Sequence, residues 1–215
     1  MTETEYSCVD CSIAACNKRA ASFPKFCPTA ALADEKLAES TAAYATEDHQ
    51  RILKASAQAM STPGGNKNIT HIQATIEFAK ALGAKKLGIA TCLNLMEESR
   101  VLTKILRSHG FEVYGLCCKI GAQTMDDLCA VPEPNHDAAR VCNPILQARL
   151  LNEAETDLNI VMGLCVGHDS LFYKHAEAPI TTLVTKDRLT GHNPVAPLYT
   201  LDSCYHSLYG KERKL

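Results

Sequence analysis

Four short apolar runs limit what this chain can fold into: Lys86–Thr91 (KLGIAT), Phe111–Cys117, Leu158–Leu164 (LNIVMGL) and Ile180–Thr185 (ITTLVT). They are close to continuously apolar, without the two-residue alternation of a strand that faces water, so they read as strands buried on both faces. The segments between them read as helices. Asn94–His109 carries a stripe of Leu95, Leu102, Ile105 and Leu106, with Asn94 and Glu97 at capping-box spacing and Gly110 as its stop. Pro144–Ala154 opens with Asn143 as cap and Pro144 at the first helical position. A further short helix starts at Asp169 or Ser170. Buried strands alternating with helices predict an α/β fold: a small doubly wound parallel sheet of about four strands, flavodoxin-like or Rossmann-like. The expected strand order, by analogy with flavodoxin-like sheets, is 2-1-3-4. Ligands of such sheets bind beyond the carboxyl ends of the strands at the switch point, here between strands one and three.

Ahead of the sheet, Ala30–Met60 is rich in Ala, Leu, Glu and Lys and reads as helical, until Thr62, Pro63, Gly64, Gly65 and Asn66 break it. The next helix, Ile69–Leu82, has Thr70 and Gln73 at capping-box spacing and ends at Gly83. Residues 119–141 form a long polar connection holding Pro132 and Pro134. Gly191–Pro197 and the tail are irregular, with a final helical turn. Residues 7–28 show no amphipathic period, and their cysteines set the pattern. The expected division is therefore a cysteine-rich metal module over 1–29 and an α/β domain with N-terminal helices over 30–215.

The cysteine count selects the chemistry. Met1–Asp10 is polar and acidic, without the apolar core of a signal peptide, and no run approaches the ~20 apolar residues of a membrane span. The expected location is the cytoplasm, where thiols stay reduced, so 11 cysteines point to metal binding or redox chemistry and away from disulfides. The alternative is that each is a small buried hydrophobe. That suits Cys129 and Cys204, which have no clear partners, better than the others, most of which sit beside Pro, Gly or Asn. A formal net charge of −2 gives no basic field for nucleic acid or an anionic membrane, and the basic run at 211–214 reads as a solvated tail. Neither GxGxxG nor GxxxxGK[ST] occurs. Tyr199, Tyr205 and Tyr209 suit core packing or a homodimer contact.

Two constellations carry the expected function. Cys8, Cys11, Cys16 and Cys27 follow a C-x2-C-x4-C-x10-C spacing with Pro28 behind the last. Four thiolates this close can close around one inorganic centre. A close pair, a third cysteine and a distant fourth before Pro is nearer to a ferredoxin-type run than to two zinc knuckles, so an iron–sulfur cluster, 4Fe-4S first, is expected, with zinc as the alternative. The second constellation lies at the strand ends. Cys92, Cys118 and Cys165 end strands one, two and three, and Cys142 precedes a helix start. Adjacent strand residues face opposite ways, and Cys118 is preferred over Cys117 because the turn Lys119–Gly121 adjoins it. Thiols ahead of helix N-termini are readily thiolates. Lys186, Arg188 and His192 follow strand four, and His168 and Asp169 follow Cys165, with Asp169 alternatively a helix cap. Cys92, Cys118, Cys142, Cys165, Lys186, Arg188 and His192 are the candidate cofactor or substrate contacts, and His168, Asp169 and Lys119 the candidate catalytic groups.

The segments CVDCSIAAC…FPKFCP, CNPILQARLLN, GLCVGHDSLF and APITTLVTKDRLTGHNP resemble a family of uncharacterised metal-binding proteins, domain of unknown function 1847, found in anaerobic bacteria and archaea. The likeness spans nearly the whole chain and implies a cytoplasmic metal-binding protein, with Cys8, Cys11, Cys16 and Cys27 as ligands and no known reaction. The expected function is redox or cluster-assisted chemistry on a small anionic molecule, or with a redox partner protein. Lys119, Lys186 and Arg188 would neutralise charge, and His168 would act as acid or base. The rivals are a zinc-stabilised, non-catalytic ligand-binding or sensing module, and a thiol transferase or hydrolase using Cys165 with His168.

Overall fold

Helix boundaries follow local capping chemistry. The structure, a computed structural model, describes residues 7–18, 22–60, 69–128 and 140–210; Cys129, the 62–66 breaker, Pro132, Pro134 and the 211–214 tail lie outside them. The helical stretch expected over Ala30–Met60 is two helices, α1 (Asp34–Ala43) and α2 (Glu47–Ala59). His49 Nδ1 lies 2.6 Å from the Ala43 carbonyl, and Gln50 Nε2 donates to the Tyr44 carbonyl at 2.7 Å. These side chains satisfy the last carbonyls of α1, while Thr46 Oγ1 accepts from the His49 N–H at the start of α2. In α3 (His71–Ala81), Thr70 and Gln73 close the expected capping box in both directions.

The sheet contains β1 (Lys86–Thr91), β2 (Glu112–Cys117), β3 (Leu158–Met162) and β4 (Ile180–Val184), all parallel, in the order β2-β1-β3-β4. The connecting helices are α4 (Met96–Ser108) between β1 and β2, α5 (Met125–Leu128) and α6 (Pro144–Glu153) between β2 and β3, and α7 (His168–His175) between β3 and β4. A short α8 (Ala196–Tyr199) and a 3-10 turn at His206–Leu208 follow β4. The interior strands β1 and β3 are the most continuously buried, which is why their sequences run apolar without alternation.

Helices cover both faces. On one, the Thr91 and Ser99 hydroxyls bond at 2.7 Å and join β1 to α4, while α3 lies against β4 at Thr181. On the other, Ala90, Cys92 and Val161 pack with Ala148, Leu151 and Phe172 from α6 and α7. Each large apolar side chain buried in such a core contributes about 1.5–3 kcal/mol. The amino end of β1 is fixed by Asp157, whose Oδ2 accepts the Lys85 and Lys86 N–H groups at 2.7 and 2.8 Å.

The start of α4 departs from expectation. The Cys92 N–H still bonds the Met162 carbonyl, so the chain leaves the sheet only at Leu93. It then passes through a 3-10 turn, Leu93–Leu95, that buries the Leu95 side chain over Gly163. Asn94 makes no cap in this arrangement, and Glu97 pairs with Arg100.

By compactness the chain divides into two units, Met1–Lys54 and Ala55–Leu215, with the boundary inside α2. In the second, Gly163 turns the chain out of β3 at φ +63°, where an added Cβ would meet Leu95 Cδ1. Gly163→Ala is expected to cost about 2 kcal/mol, read as a lower urea midpoint at unchanged m-value. Gly83→Ala, at φ +74° with open space around it, is the control; it bears the backbone strain without the clash and should cost about 1 kcal/mol. Equal midpoints for the two variants would contradict the close packing of Leu95.

Candidate functional site

The parallel ladder carries three cysteines to one edge. Cys92 lies one residue beyond β1, and the Cys118 N–H extends the ladder past β2 by bonding the Thr91 carbonyl at 2.8 Å. After β3, Gly163 bonds the Val184 carbonyl and turns the chain toward Cys165. Cys142 arrives from the connection before α6. Its neighbour Asn143 donates its backbone N–H to the Cys118 carbonyl at 2.8 Å, caps α6 through Leu146 N–H, and holds Gln123 through its amide at 2.6 Å.

The sulfurs form a connected row. Cys142 Sγ lies 3.4 Å from Cys118 Sγ. Cys118 packs with Cys92 in one buried cluster, and the Leu93 N–H donates to Cys118 Sγ at 3.4 Å. Lys186, just past β4, reaches back between the other two and donates from Nζ to Cys92 Sγ at 2.8 Å and to Cys165 Sγ at 3.2 Å. Cys118, not Cys117, makes these contacts. Cys92 and Cys118 are buried, whereas Cys142, Cys165 and Lys186 are half-buried.

The electrostatics differ along the row. Burial pushes the Cys92 thiol up, but the Lys186 hydrogen bond and charge, with the Asn94 N–H and the Cys118 thiol, outweigh it and hold Cys92 below its usual range. Burial pushes the Cys118 thiol up to about 12, helped by Cys142 and Cys92 and opposed by the Leu93 N–H. Burial alone would lower Lys186, yet the hydrogen bonds and charges of Cys92 and Cys165 raise it. The Lys186 ammonium thus favours the deprotonated form of Cys92, beside a Cys118 thiol that burial holds protonated.

The remaining candidates are placed as follows. The His168 backbone N–H bonds the Cys165 carbonyl, and its Nδ1 is buried without a hydrogen-bond partner. Asp169 accepts the Gly167 and Ser170 N–H groups, so its carboxylate shapes the turn into α7. The Lys119 ammonium donates to the Arg140 carbonyl and ties the β2 exit to the approach to Cys142. Arg188 is exposed. His192 Nδ1 accepts from the Asp187 N–H at 3.2 Å within a tight 187–192 loop, and its residue lines a groove with His71, Leu95 and Val184. Sequence reasoning missed Gln147. It is fully buried on α6 and donates from Nε2 to the Leu116 and Thr91 carbonyls at 2.8 and 3.3 Å, pinning together the ends of β2 and β1 beneath the cysteines. A glutamine among Leu146, Ala148 and Leu151 was the available signal.

In the N-terminal unit, Cys8, Cys11, Cys16 and Cys27 all line one cavity of about 130 Å³, together with Ala14, Ala15, Pro24, Pro28 and Thr29. A turn bonds the Cys11 N–H to the Cys8 carbonyl, and Ala14 at φ 49° leads into the 3-10 turn that carries Cys16. Burial pushes the Cys27 thiol up, but the Thr29 hydroxyl and the N–H groups of Thr29 and Ala30 prevail and lower it. Among the described residues of this unit, the buried side chains are Ala15 and Cys27, and both line the cavity. Among the described residues, no three His, Cys, Asp or Glu side chains converge closely enough to hold a single metal ion. Among them, too, no helix is long and apolar enough to cross a membrane.

Fold and site together define an α/β protein with a four-stranded parallel sheet and a thiol-rich edge at its carboxyl end. Residues 27–183 match the family described as "Protein of unknown function (DUF1847)", and the chain belongs to that family. An uncharacterized protein of Methanocaldococcus jannaschii, MJ0455, is 43% identical over 157 residues, covering 73% of this chain and 80% of the relative. No solved structure matches the chain. The matched segment begins at Cys27 and includes Cys92, Cys118, Cys142 and Cys165; Cys8, Cys11 and Cys16 precede it and Lys186 follows it.

The Cys92–Lys186 pair sets a pH signature. Because Cys92 is lowered, its contribution to stability is complete above its ordinary value of 9.0 and is lost as pH falls through the folded value. Because Lys186 is raised, its contribution is complete below 10.5 and is lost as pH rises through the folded value. The pair therefore stabilises fully only between those two values. The stability advantage of wild type over Lys186→Met should grow from neutral pH toward 9, measured by urea denaturation at each pH. An advantage that shrinks over that interval would refute the pairing.

Proposed function

We propose that this protein is a cysteine-rich metal-binding protein whose N-terminal unit holds an iron–sulfur cluster, 4Fe-4S first, through Cys8, Cys11, Cys16 and Cys27, and whose sheet edge carries out redox chemistry on a small anionic molecule or with a redox partner protein. The observation that carries this reading is the four-cysteine cavity in a unit whose described residues supply almost no apolar core. Units of this size fold on little hydrophobic burial and need a staple, and metal–thiolate bonding supplies one. The four cysteines line one space of about 130 Å³, and their order in the chain, a close pair, a third and a distant fourth before Pro28, is nearer to a ferredoxin-type run than to two zinc knuckles. When bound, such a cluster supplies one-electron chemistry.

The chain's own residues would do the rest. The N–H groups and hydroxyl around Cys27 hold its sulfur as an acceptor, as outer-shell donors do around metal thiolates. At the sheet edge, Lys186 donates to Cys92 and favours its deprotonated form, and Arg188 offers a further cation. His168, with a buried and unpartnered Nδ1, is the candidate acid or base.

Anaerobically purified protein should be brown and contain about four iron and four acid-labile sulfide per chain, with a paramagnetic signal on reduction. Cys16→Ser should lose the colour and the iron, and Lys186→Met should keep both. A colourless protein with stoichiometric zinc would overturn the cluster.

A further inference from the structure

We propose that Cys118 and Cys142 form a redox-active dithiol that exchanges with low-molecular-weight disulfides, and that the Cys92–Lys186 pair takes up the proton of the resolving thiol. This deepens the sheet-edge part of the reading above, and it does not depend on the N-terminal centre.

The geometry carries it. The two sulfurs are already in contact at 3.4 Å, and the backbones abut, with the Asn143 N–H on the Cys118 carbonyl. A disulfide requires this proximity of the two chains. Accessibility divides the roles: Cys142 is half-buried and open to an incoming disulfide, and Cys118 lies buried behind it. Cys118 shares a buried cluster with Cys92, takes the N–H of the next residue, Leu93, on its sulfur at 3.4 Å, and so adjoins the sulfur that accepts from Lys186. Lys186 also bonds Cys165, so a fixed ammonium already occupies the space between those two sulfurs and disfavours a second cation there.

The chemistry balances in three steps. The Cys142 sulfur attacks one sulfur of RSSR and the S–S bond of RSSR breaks; one RS− leaves, taking the Cys142 proton to become RSH, and the second RS group stays bonded through its sulfur to Cys142 Sγ as a mixed disulfide. Cys118 then passes its proton to Cys92 in its deprotonated form, the form the Lys186 ammonium favours. The Cys118 thiolate attacks Cys142 Sγ, the bond from Cys142 Sγ to the bound RS group breaks, and the departing RS− takes the proton back from Cys92 and leaves as RSH. Two protein thiols are oxidised by two electrons and one external disulfide is reduced to two thiols. A thiol with its pKa raised as far as that of Cys118 is a poor nucleophile until it loses its proton, which is why an adjoining thiolate matters.

The test uses the whole chain, anaerobically, with oxidised glutathione as the probe, followed by alkylation and peptide mapping. Wild type should yield a Cys118–Cys142 disulfide, release reduced glutathione and retain no adduct, and excess dithiothreitol should reverse it. Cys118→Ser should trap glutathione on Cys142. Cys204→Ser, at an exposed thiol outside the sheet edge, should still close the disulfide. Lys186→Met should form the same mixed disulfide but resolve it slower by about 100-fold, the scale of a lost positioned base. A stable adduct on wild type, a disulfide joining another pair, or unchanged resolution in Lys186→Met would each overturn the proposal. Iron content in the same samples reports separately on the N-terminal centre, so failure of one reading is distinguishable from failure of the other.

Discussion

A parallel sheet sends every strand's carboxyl end to the same side, and everything at the candidate site follows from that constraint. Because β2, β1 and β3 are neighbours, residues just past their ends must stand side by side whatever their separation in sequence. Cys118, Cys92 and Cys165 are such residues. The ladder bonds that continue one residue past β1 and β2 fix how far each cysteine stands above the sheet. Buried below them, Gln147 spans the carbonyls at the ends of two strands, and Gly163 lets Leu95 close over the exit of the third. The edge is thus rigid from beneath, while its polar contacts are made from above by Lys186 and by the segment bearing Cys142.

The two units use cysteine in different ways. In the second unit a full apolar core exists, and the thiols are guests on it: Cys92 and Cys118 pack against Ala148, Leu151 and Phe172 while their sulfurs take polar contacts. In the first, helix α1 buries no side chain and the cysteine-lined cavity is where the described burial lies. One set joins a core built mostly of other side chains; the other lines the cavity where the described burial of its unit lies.

Much of this was legible because it is local. The capping box at Thr70 and Gln73, the Asn143–Pro144 helix start and the four strands are written in neighbouring residues, and the structure has them where the spacing predicts. The strand-end position of the cysteines followed from the same reasoning. What was not legible depends on contacts between distant segments. Asn94 and Glu97 have the spacing of a cap, but Leu95 is drawn into the core over Gly163 and the turn tightens instead. The break between α1 and α2 rests on His49 and Gln50 reaching back to carbonyls six residues earlier, inside an Ala-rich stretch with no Pro or Gly. Lys186 was noted as a charge near the edge; that its ammonium would sit between two particular sulfurs is set by the turn after β4 and by no motif.

Cys118 and Cys142 are separated by 24 positions along the chain. A covalent link between them would tether the ends of that span in the unfolded ensemble, worth about 3 kcal/mol of loop-closure entropy. Thermodynamic linkage makes this reciprocal: a fold that holds the two sulfurs together favours their bond, and the bond favours the fold. Resistance of the α/β unit to melting would then track the thiol status of its surroundings, making it a gauge of ambient reducing power as well as a participant in it.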